Sequence, residues 1–136
     1  MEKMSSLERV VYNILLKEKI PFEREKQFKD CYNGYYRFDY YLPQHNIILE
    51  VNGAQHMEYT KFFYKNRSDF LKAKERDRRK ISYCLAHDIK MYIIPFWEID
   101  QINSFKDITS EKFSVKSKFH NDIIWREHQK NKEDVK

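Results

Sequence analysis

Apolar and polar positions along the chain alternate with two different periods. Leu7, Val10, Val11, Ile14 and Leu15 recur at helical spacing, so Ser5 to Lys19 is predicted to be a helix. Ser5 and Glu8 stand at capping-box spacing at its start, and Ile20-Pro21 ends it. Phe22 to Phe28 reads as a first strand and Cys31-Tyr32-Asn33-Gly34 as a turn. Two clearer strands follow. Tyr35 to Leu42 is rich in aromatic residues, and Ile47 to Asn52 is rich in β-branched ones. Only Pro43-Gln44-His45-Asn46 separates them, a four-residue loop that predicts a hairpin.

That hairpin sets two acids against each other. With Leu42 paired to Ile47, Tyr40 faces Leu49 and Phe38 faces Val51, and one side becomes wholly apolar. On the other side Asp39 stands directly opposite Glu50. Like charges so placed destabilise a sheet, and something must offset them. A divalent cation on oxygen ligands is the simplest candidate. Carboxylates whose Cβ atoms are roughly 4.5–5.5 Å apart can share one Mg²⁺, at about 2.0–2.1 Å and with several waters kept. The alternative is two solvent-facing acids, bridged by Arg37 or a lysine.

Beyond the hairpin, Gly53 breaks the second strand, and Met57 to Arg67 is a loop or a helical turn. Asp69 to His87 reads as a long helix, with Phe70, Ala73, Asp77, Ile81 and Cys84 on one face. Ile89 to Ile94 reads as a buried strand closed by Pro95, and Phe96-Trp97-Glu98-Ile99 continues the apolar run. Phe113, Val115, Ser117 and Phe119 alternate with lysines, as in an edge strand or an arm. Ile123-Ile124-Trp125 would anchor a short helix, and the charged end is expected to fray. Helix, strands, helix, strand predicts an α/β (α+β) core with a mixed sheet. The expected division is a core domain over residues 1–102 and an extension over residues 103–136.

Composition narrows the function. A chain of 136 residues suits one domain, and 41% hydrophobic residues exclude a disordered polyelectrolyte. No apolar run approaches the ~20 residues of a membrane span. The N-terminus has no apolar stretch like a signal peptide's, so a cytoplasmic protein with no membrane partner is expected. Two cysteines are too few for a disulfide framework or a thiolate zinc site. Net charge is +5, but from Lys61 to Lys80 nine Lys or Arg stand against three Asp or Glu, so the rest of the chain is slightly negative. A confined basic stripe suits a phosphate-rich partner, although many such stripes are only solvated helix faces.

Several side chains could do chemistry. His56 follows Glu50 by six residues across the Gly53 break, and a neutral imidazole is a suitable general base for water. Asp77, on an otherwise apolar helix face, needs a partner; His56 would serve, and so would Arg76 or Lys80. Glu8 is either a capping residue or a metal contact from the first helix. Lys72, Lys74, Arg76, Arg78, Arg79 and Lys80 are positioned for phosphates, and Phe62, Phe63 and Tyr64 for bases.

Arg37-Phe38-Asp39-Tyr40-Tyr41-Leu42, then Ile48-Leu49-Glu50-Val51-Asn52-Gly53, then His56, resembles the PD-(D/E)xK, restriction-endonuclease-like superfamily. The likeness is closest to its very-short-patch-repair endonuclease branch and the related homing endonucleases. Glu75-Arg76-Asp77-Arg78-Arg79-Lys80-Ile81, leading to Pro95-Phe96-Trp97-Glu98, is similar to the later helix and strand of that branch. The resemblance implies a Mg²⁺-dependent DNA endonuclease, with Mn²⁺ as a substitute, acting alone or in a larger DNA-processing assembly. It implies Asp39, Glu50 and the Val51 carbonyl as metal ligands, His56 as the base, Asp77 as its orienting acid and Glu8 near the metal shell. Two departures stand out. Asn52 occupies the position of the usual lysine two residues after the second acid, which favours the histidine version. The Cys- and His-rich structural zinc site of the repair branch is absent. A non-catalytic nucleic-acid-binding module and an RNA-cleaving enzyme are the alternatives.

Overall fold

A computed structural model of the chain describes residues 4–52 and 67–116. Gly53, His56, the aromatic run 62–64 and residues 117–136 lie outside the described residues.

The first helix, α1, spans Ser6–Lys17. Ser5 caps it: its Oγ accepts the Glu8 N–H at 3.1 Å. Val11, Ile14 and Leu15 bury the predicted stripe, and each such side chain contributes roughly 1.5–3 kcal/mol. The helix stops two residues short of Lys19 because the chain turns left-handed there. Lys19 has φ of 57°, its N–H donates to Leu16, and the Ile20 N–H donates to Leu15. This is a Schellman stop without glycine.

Among the described residues, four strands form one mixed sheet: β1 (Glu23–Lys26), β2 (Phe38–Leu42), β3 (Ile47–Asn52) and β4 (Lys90–Pro95). They lie in sequence order. β1–β2 and β2–β3 pair antiparallel, and β3–β4 pair parallel. A parallel neighbour needs a long crossover, and α2 (Arg67–Ala86) is part of it. α2 ends like α1, with Asp88 left-handed and the Ile89 N–H on the Cys84 carbonyl.

The sheet has an apolar cluster on each face. Tyr40, Leu42, Leu49, Tyr92 and Ile94 pack with Val11, Ile14 and Leu15 of α1. Ile48, Met91 and Ile93 pack with Cys84 of α2, and with Cys31. The segment after residue 102 joins both: Ile108, in the short helix α3 (Phe105–Ile108), and Phe113 are buried on the α1 side, and Val115 on the other. Rather than an edge strand, Phe113 and Val115 flank a single bridge, Ser114 to Tyr92. The apolar run after Pro95 turns into a helical turn, Phe96–Gln101, that leaves Phe96 and Trp97 exposed.

Candidate active site

The hairpin register is the predicted one: Leu42↔Ile47, Tyr41↔Ile48 and Tyr40↔Leu49. There the regular rungs stop, and side chains take over. The Asp39 N–H donates to Glu50 Oε1 at 2.9 Å, and the Val51 N–H donates to Asp39 Oδ2 at 2.9 Å. Each acid accepts a backbone N–H of the opposite strand. Both line one cavity of about 720 Å³, together with Glu8 of α1 and with Arg76 and Lys80 of α2.

Phe38 departs from the expected side. It does not continue the apolar side of Tyr40 and Leu42 but joins the cluster beneath α2, with its ring 5.6 Å from that of Phe28. Glu25, with φ of 53°, falls between the rungs Arg24↔Tyr40 and Lys26↔Phe38, opposite the point where the side changes.

Lys80 does not face the phosphate side with its basic neighbours. Expected among the phosphate-contacting side chains, it is turned inward and only 6% exposed. Its Nζ lies 3.1 Å from Glu50 Oε1 and 3.2 Å from Oε2, and 4.9 Å from the Phe38 ring centre. Lys80 falls seven residues after buried Ala73 and four before buried Cys84, so helical spacing already carried the signal.

Asp39 is the electrostatically perturbed acid. Burial raises its carboxyl well above the ordinary value, and repulsion from Glu50 raises it further; the Val51 N–H and Lys80 pull the other way. Two backbone N–H donors and the Lys80 ammonium offset the opposition of the two acids.

Glu8 turns back toward Ser5, as a capping residue does, but reaches its hydroxyl rather than its amide. Its Oε1 lies 3.3 Å from the Ser5 hydroxyl, while Oε2 accepts from Arg24 at 3.0 Å. The Tyr40 hydroxyl donates to the Glu8 carbonyl at 2.8 Å, which ties α1 to β2, and burial pushes that phenol up to about 12. Asp77 is half-buried, 3.7 Å from Arg76 Nε; its anticipated partner His56 lies outside the described residues. Of the other basic side chains on α2, Lys72 and Arg78 are exposed. Lys74 Nζ stands 5.5 Å from the Phe70 ring centre. Arg78 and Arg79 pair with Glu75 at 3.2 and 3.3 Å.

Among the described residues, no group of three or more His, Cys, Asp and Glu gathers to hold a metal. The two facing carboxylates nevertheless fit a hard dication. Mg²⁺ commonly takes only one or two protein carboxylates and fills its shell with water and substrate phosphate.

No family model matches the chain. Over 58 residues it is 31% identical to "Uncharacterized protein 307L" of Invertebrate iridescent virus 6. The match covers 43% of this chain and 29% of that protein, so the chain spans less than a third of the relative's length.

Proposed function

We propose that the protein is a Mg²⁺-dependent DNA endonuclease built on a restriction-endonuclease-like core. One observation carries the reading: Asp39 and Glu50 converge in a single cavity, with the Lys80 ammonium 3.1 Å from Glu50 and Arg76 on the wall. The order α1, β1, β2, β3, α2, β4 around a mixed sheet supports it, as does the basic surface of α2.

In this reading Asp39 and Glu50, with the Val51 carbonyl, hold Mg²⁺. Bound there, the ion supplies charge stabilisation at a phosphoryl oxygen and acidifies a coordinated water. The chain's own residues do the rest. Lys80 fixes the rotamer of Glu50 through both carboxylate oxygens. Arg76 presents a cation to the incoming phosphate, and Lys72 and Arg78 draw the backbone toward the cavity. His56 accepts the proton of the attacking water, and Asp77 orients His56.

Supercoiled plasmid tests the proposal. Cleavage with Mg²⁺ or Mn²⁺, abolished by EDTA and by Asp39→Ala, is expected. Salt-sensitive binding with no cutting in any metal would replace it with a binding module, in which Glu50 is neutralised by Lys80 alone.

A further inference from the structure

The rim of the acid cavity carries aromatic rings that the fold leaves in water. Tyr35 is 79% exposed and Tyr32 is 51% exposed. Tyr36 sits between them and is buried; its ring lies 5.2 Å from that of Tyr35 and 5.4 Å from that of Tyr32, both edge-on. Arg79 of α2 holds the group from below. It donates to the Tyr36 hydroxyl at 3.1 Å, and its guanidinium carbon stands 4.9 Å from the Tyr32 ring centre. The backbone beneath is unusual: Tyr32, Asn33 and Gly34 all have positive φ, at 49°, 61° and 74°. Left-handed backbone is disfavoured at a tyrosine, so other contacts must hold this turn.

Two rings of the cluster reach the cavity. Tyr35 and Tyr36 line it together with Asp39 and Glu50, and so does Phe96, which follows β4 and is also exposed. Arg37 and Arg76 add positive charge to the same wall. Open aromatic faces among guanidinium groups match one ligand chemistry well: nucleobases, whose faces stack on rings while their phosphates meet the arginines. In an intact duplex those faces are covered by neighbouring base pairs. Only unpaired nucleotides present them.

We propose that Tyr35, supported by Tyr36, Arg79 and Tyr32, is a stacking platform for unpaired bases. The strand held at Asp39 and Glu50 is then single-stranded or splayed DNA. This rests on the nuclease reading for the position of the cleaved phosphate, but stacking itself can be measured without cleavage.

The test is binding of the full chain, in EDTA, to a single strand, a splayed fork and a paired duplex of equal length. Tyr35→Ala is expected to weaken binding to the single strand and fork by about 5- to 20-fold, within the range for one stacked base, and to change duplex binding by less than about twofold. Tyr35→Phe, which keeps the ring, should retain wild-type binding. A 2-aminopurine placed in the single strand should be quenched by the wild type and by Tyr35→Phe, but not by Tyr35→Ala. Equal losses on duplex and single strand, or no loss on either, overturn the platform. If these differences appear in a protein that cuts nothing with Mg²⁺, the platform stands and the nuclease reading falls. If the protein cuts but Tyr35→Ala binds like wild type, the platform alone falls.

Discussion

The Lys80 ammonium touches both oxygens of Glu50, at 3.1 and 3.2 Å, and each residue is less than a tenth exposed. Breaking such a pair strands a charge away from water. Lys80→Met alone, or Glu50→Gln alone, is therefore expected to lower unfolding free energy by about 3–5 kcal/mol, and the double change to recover most of the loss. Urea unfolding of the four proteins checks this. Single losses under about 1 kcal/mol would mean the pair behaves like a surface ion pair.

Asp39 predicts a pH dependence of stability. Its carboxyl binds a proton more tightly in the folded protein than at its ordinary value of 3.8. The contribution is fully present below that value and is lost as pH rises through the raised folded one. Asp39→Asn, which can still accept the Val51 N–H, should have a higher Tm than wild type at about pH 8, and the gap should shrink toward about pH 4. A lower Tm for Asp39→Asn across that range would contradict the assignment.

Divalent cation and proton compete for the same carboxyl. Mg²⁺ or Mn²⁺ should raise the wild-type Tm, and the rise should grow with pH as the Asp39 proton leaves. At a hundred times the dissociation constant the stabilisation is about 2.7 kcal/mol. Asp39→Ala should abolish it. Differential scanning fluorimetry with and without metal measures the effect.

The hairpin was legible because Leu42, Tyr40, Ile47 and Leu49 alternate cleanly and a four-residue loop leaves little freedom of register. The opposition of Asp39 and Glu50 followed from it. The side taken by Phe38 did not, because alternation assumes a regular ladder and the hairpin rungs end at Tyr40↔Leu49. Lys80 was hidden by its company: within Arg76-Asp77-Arg78-Arg79-Lys80 every basic residue looks like solvated charge, and only spacing from Ala73 and Cys84 separates the inward one. The aromatic rim was unreadable for a related reason. Tyr35 and Tyr36 both fit a strand pattern, and nothing in the sequence places Arg79 beneath Tyr36 or stands the rings edge-on.

The outward cations of α2 should act additively on DNA affinity. Lys72→Gln and Arg78→Gln, both at exposed positions, should each reduce the slope of log affinity against log salt by about 0.9 on duplex, with no change in sequence preference. Fluorescence anisotropy across a salt series reads this. An unchanged slope in the double variant would place the DNA path elsewhere.

Whether the facing carboxylates form a cutting centre is answered most directly by nicking of supercoiled plasmid with Mg²⁺, comparing wild type with Asp39→Asn at matched fold and concentration. Relaxed and linear product is expected from the wild type, none in EDTA, and a loss of at least about a hundredfold in rate for Asp39→Asn, within the several kcal/mol that metal-ion catalysis supplies. Equal nicking by both proteins, or none by the wild type in Mg²⁺ or Mn²⁺, would contradict a cutting centre there.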